Sequence, residues 1–333
     1  MAPYSTGGLL NGMFSGIGGN GRGGNPAPAS GVPKTGQLLY SDATVNLAAT
    51  STPKIVNNIA APNKYPAHNW RIHLSVTDTT GATPPTGVNS IESVLQFVTI
   101  SGASGKVLAR INGENGEFER WQHLLNSPNM FYSTAGTPAD TSASTPYNAL
   151  FDLVLQDWIV PNNEFPISVR VDYNTLASRA TTPNSMTSQV VAFEIWCDFV
   201  PLSSGSPTML RTKLVNTGTG IVDYGVNVDR DLIYAMALDV AADSNLSHTN
   251  TFNLEINGNS LINNSDYQTI ITQENSQYPI TTPHISGFFP FGVLYKGTID
   301  GTQKITLDTN ITTAPTIGGN ANSVNLYMLE AYQ

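Results

Sequence analysis

The second half of this chain repeats the first, block by block and in the same order. Arg71-Ile-His-Leu-Ser-Val-Thr-Asp78 is matched by Leu232-Ile-Tyr-Ala-Met-Ala-Leu-Asp239, and Ile111-Asn112-Gly113 by Ile256-Asn257-Gly258. Val169-Arg-Val-Asp-Tyr-Asn174 then answers to Ile305-Thr-Leu-Asp-Thr-Asn310, and Ala192-Phe-Glu-Ile-Trp-Cys-Asp-Phe199 to Val324-Asn-Leu-Tyr-Met-Leu-Glu-Ala-Tyr332. Leu150–Val160 and Phe288–Thr298 give a further strand-like pair. The separation of matched positions falls from 161 (71 to 232) to 132 (192 to 324), so the first copy is the longer. Four blocks in one order are not what chance apolar alternation supplies, and a missed repeat miscalls the whole fold.

The blocks are β-branched and aromatic with partial alternation, as in Ile91-Glu-Ser-Val-Leu-Gln-Phe-Val-Thr-Ile100, which reads as a strand. A chain of 333 residues exceeds what one core serves, and two β domains of roughly 130–170 residues each fit the size prior. The expected division is an arm at 1–34, a first domain at 35–200, a linker at 201–207 (Pro-Leu-Ser-Ser-Gly-Ser-Pro) and a second domain at 208–333. Glu114–Asn126, with Phe118, Trp121, Leu124 and Leu125 on one face, is the best helix in the first copy. Its expected counterpart is Asn264–Glu274, with Tyr267, Ile270 and Ile271 at similar spacing. Thr134–Tyr147 reads as a long polar loop without a partner in the second copy.

The arm is a segment apart. Half of the residues from Gly7 to Gly24 are glycine, and Pro26, Pro28 and Pro33 follow. Glycine at that density is too costly in backbone entropy to hold a packed element alone. Leu9, Leu10, Met13, Phe14 and Ile17 nevertheless recur three or four residues apart. Two readings stand: a disordered tail, or an arm that orders on a neighbouring subunit or a lipid surface. Gly16-Ile-Gly-Gly-Asn-Gly21 formally matches a dinucleotide-binding glycine pattern. That motif needs a strand before it and a helix after it, and neither is present.

Charged residues make up only 12% of the chain, about half the usual share. So sparse a set implies a surface that largely faces other protein, or a secreted β protein with an uncharged polar surface. A net charge of −9 argues against general affinity for nucleic acid. Cys197 stands alone in an apolar strand, so no intramolecular disulfide can form, and it is expected to be a buried, inert thiol. No N-terminal run has the pattern of a signal peptide, and no stretch approaches the ~20 apolar residues that span a bilayer. Synthesis and folding in a cytoplasm are therefore expected.

No constellation for chemistry emerges, and neither catalytic residues, cofactor nor metal are assigned. His68, His73, His123, His248 and His284 lack metal-ligand spacing. Glu114, Glu117 and Glu119 beside His123 are explained by the preference of carboxylates for a helix N-terminus. Asp243-Ser-Asn and Asn263-Asn-Ser-Asp266 lack the loop pattern of a calcium site. There is no nucleophile elbow and no phosphate loop. An enzyme is not expected.

Two successive strand-rich domains with helical insertions, behind a flexible arm and without active-site chemistry, resemble the double jelly-roll major capsid proteins of tailless icosahedral viruses with an internal membrane. The resemblance covers roughly residues 35–333 and rests on the repeat, the strand-rich composition and the size. It implies an all-β fold of two tandem eight-stranded jelly-roll sandwiches with short helical insertions. It also implies homotrimeric, pseudo-hexameric capsomers, with neighbouring capsomers, minor capsid or vertex proteins and a viral membrane as partners. The implied location is the virion, assembled in the host cytoplasm, with a bacteriophage the preferred type. The first 60 residues carry only Arg22, Lys34 and Lys54 against Asp42. Such an arm suits protein or membrane contact better than packaged nucleic acid. The alternative is a tandem β-sandwich binding protein (spike, fibre or adhesin) for a receptor or carbohydrate, with Trp70, Trp121, Trp158 or Trp196 as sugar platforms; core packing is the competing use of all four.

Overall fold

Alternation of apolar and polar side chains with period two builds each strand and tells each which face to bury. Trp70, Ile72, Leu74 and Val76 are buried, whereas the intervening Arg71, His73, Ser75 and Thr77 are only partly covered. Ile167, Val169, Val171 and Tyr173 follow the same rule, as do Val191, Phe193, Ile195, Cys197 and Phe199. The computed structural model describes residues 31–47, 53–80, 91–113, 117–124, 130–135, 147–155, 158–175, 186–202, 209–216, 220–227, 231–239, 251–256, 258–266, 288–290, 304–311, 316–317, 320–321 and 323–332.

The first half runs β1 (Lys34–Asn46), β2 (Pro53–Ile59), β3 (Ala67–Thr80), β4 (Leu95–Ser101), β5 (Val107–Asn112), helix α1 (Glu117–Leu124), β6 (Met130–Ala135), β7 (Tyr147–Leu155), β8 (Ile167–Tyr173) and β9 (Met186–Phe199). The second half runs β10 (Met209–Asn216), β11 (Gly220–Asn227), β12 (Asp231–Asp239), β13 (Thr251–Ile256), β14 (Asn259–Asp266), β15 (Phe288–Pro290) and β16 (Lys304–Ile311). It ends with β17 (Thr316–Ile317), β18 (Asn320–Ala321) and β19 (Ser323–Tyr332).

The strands form sheets in the orders β1-β9-β3-β7-β6, β15-β12-β19-β10-β5-β4-β8-β2 and β11-β16-β13-β14, with β17 and β18 as a small separate pair. The two halves share one plan. β1-β9-β3-β7 corresponds to β10-β19-β12-β15, and β2-β8-β4-β5 to β11-β16-β13-β14. Two four-stranded antiparallel sheets facing each other, with the first and last strands as neighbours, make a jelly roll. The chain makes two. β6 is an addition to the first, beyond β7.

Trp70 and Trp158 lie with ring centroids 4.5 Å apart in the core of the first half, and Tyr40 packs edge-on against Phe193 at 5.8 Å. Asp42 ties the facing sheets: its carboxylate accepts hydrogen bonds from the hydroxyls of Tyr40 on its own strand and of Tyr173 on β8, the latter at 2.8 Å. Burial pushes both phenols above their ordinary range, reinforced for Tyr40 by Asp42 and for Tyr173 by Tyr40 and then Asp42.

Three sequence expectations are refined. The matched Ile-Asn-Gly triplets are not structural counterparts: Ile256 ends β13 and Gly258 lies in the turn to β14, whereas Ile111 and Asn112 end β5, one strand later in the plan, with Gly113 just after it. The turn equivalent to 256–258 is the 101–107 connection between β4 and β5. The run Ile91–Ile100 is not one strand, because Ile91–Val94 form a fully buried 3-10 turn and pairing starts at Leu95. The helix is present but shorter than expected, and in the second half Asn264–Asp266 complete β14, with 267–274 outside the described residues.

Candidate assembly surface

The groups that suggested chemistry serve structure. Glu117, buried at the start of α1, accepts a hydrogen bond from the backbone N–H of Asn112, which ties the helix to the end of β5. The side chains of Glu119 and His123 lie outside the described set, as does residue 114. His73 Nδ1 stands 2.6 Å from Asp152 Oδ1 across the β3–β7 pair. Among the described residues no group of three or more His, Cys, Asp or Glu side chains could hold a metal ion. Cys197 is fully buried, and burial raises its thiol far above the ordinary range, so little thiolate forms at neutral pH. Trp70, Trp121 and Trp158 are core residues, and Trp196, half-buried, donates its indole N–H to Glu194 at 2.9 Å.

What the architecture does provide is joints and edges. Where the two jelly rolls meet, β10 pairs in parallel with β5, Leu210 opposite Ala109. This single pairing fuses one sheet from each half into the eight-stranded sheet. Above it α1 reaches across to the second half. Arg120 Nε lies 2.5 Å from Asp239 Oδ2 with both side chains almost wholly buried. Trp121 meets the Tyr327 ring edge-on at 5.2 Å, and Phe288 closes on the same ring at 5.5 Å. Burial, with the Glu117 and Asp239 charges, drives the Tyr327 phenol well above its ordinary range.

A second joint anchors the start of the described chain. The Asp198 carboxylate accepts from the Gly36 backbone N–H at 2.7 Å, from Asn69 Nδ2 at 2.6 Å and from Arg71 Nη2 at 3.0 Å. Burial would raise this carboxyl, but the two hydrogen bonds and the Arg71 charge win and hold it below its usual value. Asn63 Nδ2 donates to the Val32 carbonyl at 3.0 Å, and the Tyr65 hydroxyl to the Gly31 carbonyl at 2.9 Å. Residues 1–30, including Leu9, Leu10, Met13, Phe14 and Ile17, lie outside the described residues, upstream of this anchor.

Among the described residues the large exposed apolar side chains stand mostly on outer strands, Val107 at the start of the inner strand β5 being the exception. Leu38 on β1 is 47% exposed, Ile55 and Val56 on β2 are 53% and 42% exposed, and Val32 precedes β1. β1 ends the five-stranded sheet, β2 ends the eight-stranded one, and β14 ends the four-stranded one. End strands carry a row of unpaired backbone groups and are templates for pairing with another chain. The joint residues Arg120, Trp121, Asp239 and Tyr327 were not singled out from the sequence as a set. The one available signal was that Asp78 and Asp239 close the same repeated block.

No protein family and no curated protein matches the chain by sequence. Solved structures do. The chain is similar to a chain of the Sulfolobus Turreted Icosahedral Virus, at 13% identity with a TM-score of 0.56, covering 88% of this chain and 90% of the other. It is similar to the major capsid protein of bacteriophage PM2, at 11% identity with a TM-score of 0.50, covering 89% and 96%. It is similar also to a chain of the PBCV-1 virus capsid, at 11% identity with a TM-score of 0.51, covering 94% and 97%. These are double jelly-roll major capsid proteins, and at such identities the likeness establishes the shared fold.

Proposed function

We propose that this chain is a structural major capsid protein whose homotrimers form pseudo-hexameric capsomers that tile an icosahedral shell around an internal membrane. The observation that carries the reading is the fusion of two equivalent jelly rolls through one continuous sheet. Three such chains present six jelly rolls, the number a hexagonal tile requires. Low charge supports the reading, since repeated contact between copies buries side walls that water would otherwise face. The division at 201–207 is part of the proposal, as are the virion location and assembly in the host cytoplasm. Minor capsid or vertex proteins are the further partners, without direct contact to nucleic acid. The weakly basic, glycine-rich arm supports a lipid-lined interior, and a bacteriophage is the type of virus this reading prefers.

The test is the mass of the purified protein by size-exclusion chromatography with light scattering. A stable species of three times the 35.6 kDa chain mass is expected, and shells in electron micrographs of concentrated or lysate material complete the case. A chain that stays monomeric at high concentration favours the tandem binding-module alternative, although the burial of three of its four tryptophans already removes them as sugar platforms.

A further inference from the structure

A bare sheet edge is a template for a further strand, so edges that must stay alone are guarded by charge, proline, bulges or shortness. Among the described residues the three larger sheets have six end strands, and five are guarded. β1 bears Lys34 and Asp42 and shifts register against β9 three times. β2 opens with Pro53 and Lys54 and shifts against β8. β15 has three residues, one of them Pro290. β11 carries Asp223 near its middle with glycine at 220 and 225, and the β13–β14 pair shifts twice before β14 ends in Asp266.

β6 (Met-Phe-Tyr-Ser-Thr-Ala) is the exception. It has no charge, proline or glycine, and it pairs with β7 in one unbroken register, from Met130 opposite Leu153 to Ala135 opposite Asn148. Phe131, Tyr132 and Thr134 are of the types that favour strands. β6 also stands outside the plan that the two jelly rolls share, and the second half builds its sandwich without a counterpart among the described residues. We propose that β6 pairs antiparallel with β6 of a second copy across a two-fold axis, joining two five-stranded sheets into one. The inference rests on the capsomer reading and places this contact between capsomers: a two-fold uses the same patch on both copies, whereas a three-fold ring joins unlike patches.

A second copy of β6 suits this edge. Self-pairing sets an uncharged strand against an identical one of equal length, so no like charges are opposed. The N-terminal arm is the poorer occupant, since half of residues 7–24 are glycine, which weakens a strand. The pairing with β7 assigns the faces. Met130 and Tyr132 stand opposite the buried Leu153 and Phe151, so Phe131, Ser133 and Ala135 hold outer-face positions. Opposite residues in a pair of strands share a face. Across a two-fold normal to the sheet, these three positions therefore meet one another and not 130, 132 or 134.

The test uses two variants, Phe131→Cys with Ser133→Cys and Ser133→Cys with Ala135→Cys, which between them set cysteine opposite cysteine in every register centred on an outer-face position or between two of them. Paired strands bring Cα atoms to about 5 Å, within disulfide reach, and the native Cys197 is buried. Each reduced variant is first checked for the wild-type melting temperature and weighed by light scattering. Concentrated protein is then mildly oxidised and run on non-reducing gels. At least one variant is expected to give a covalent dimer at least ten-fold above the wild type, with no longer ladder, because a two-fold contact uses each edge once. Trimers that give no covalent dimer overturn the edge assignment and leave the capsomer standing. A ladder of three or more chains does the same, because it marks a contact of unlike patches. A protein that is monomeric before oxidation and cross-links only to dimers upholds the edge and overturns the capsomer, and one that never cross-links overturns both.

Discussion

Cys197 alternates with Ile195 and Phe199 on the buried face of β9 and has no solvent-exposed surface. Cys197→Ser puts a hydroxyl in that apolar site and is expected to cost about 1–2 kcal/mol, read as a shift in denaturant midpoint. The native thiol is expected to react with a thiol reagent only as fast as the chain unfolds. Asp198 and His68 lie at the anchor of β1 and respond to acid in the same sense. His68, half-buried, has its imidazole pKa lowered by burial, although Asp198 opposes the shift. Its depressed folded value means the unfolded chain binds the proton first, so stability begins to fall as pH drops below about 6.5. Asp198, depressed likewise, contributes fully above about pH 4, and its contribution is lost as pH falls further. Thermal melts from pH 8 to 4 should therefore show a progressive loss of stability, and His68→Gln should flatten the slope between pH 6.5 and 4.

At the scale of elements, the instructive case is the pair of Ile-Asn-Gly triplets. They share letters for unrelated physical reasons. Gly258 sits at φ +76° in a two-strand turn, the left-handed region that glycine enters without a steric penalty. Gly113 is wanted for space, because a Cβ there would lie far inside van der Waals contact with the carbonyl oxygens of Glu92 and Leu95. Gly113→Ala should cost about 3 kcal/mol by forcing the buried 91–94 turn away from β5, measurable by urea denaturation. The repeat, the strand-rich class and the helix over 117–124 were legible because alternation and the 3.6-residue apolar spacing are local. The offset of one strand between the triplets was not, because which glycine serves a turn and which a close approach depends on a neighbour distant in sequence. The 91–94 turn was illegible for a related cause: Ile91 and Val94 are as β-prone as the strand that follows, and only packing under Gly113 bends them. The arm residues Leu9 to Ile17 remain a sequence-based expectation.

At the scale of the molecule, the joint between halves rests on a buried ion pair. Arg120→Ala leaves the Asp239 carboxylate without its charge partner and is expected to cost about 3–5 kcal/mol, whereas Arg120→Met with Asp239→Leu should recover most of the loss. Comparing the two by denaturant unfolding separates the cost of a stranded charge from the worth of the pair. Deleting residues 2–30 removes nothing below the anchor at Gly31–Gly36. It should leave the melting temperature and the mass of the proposed trimer unchanged while lowering the yield of any shells in electron micrographs. Loss of the trimer itself would move the arm to the contact within a capsomer.

The sheet that runs without a break from β15 to β2 also has a mechanical meaning. Many two-unit proteins flex where the units meet, because a peptide tether joins them and little else does. Here the described contacts between units are one backbone pairing in the plane of a sheet, Leu210 with Ala109, and the helix that braces it through Arg120 and Trp121. With the halves held together by sheet and helix as well as by the connecting peptide, heat should melt the chain in one calorimetric peak.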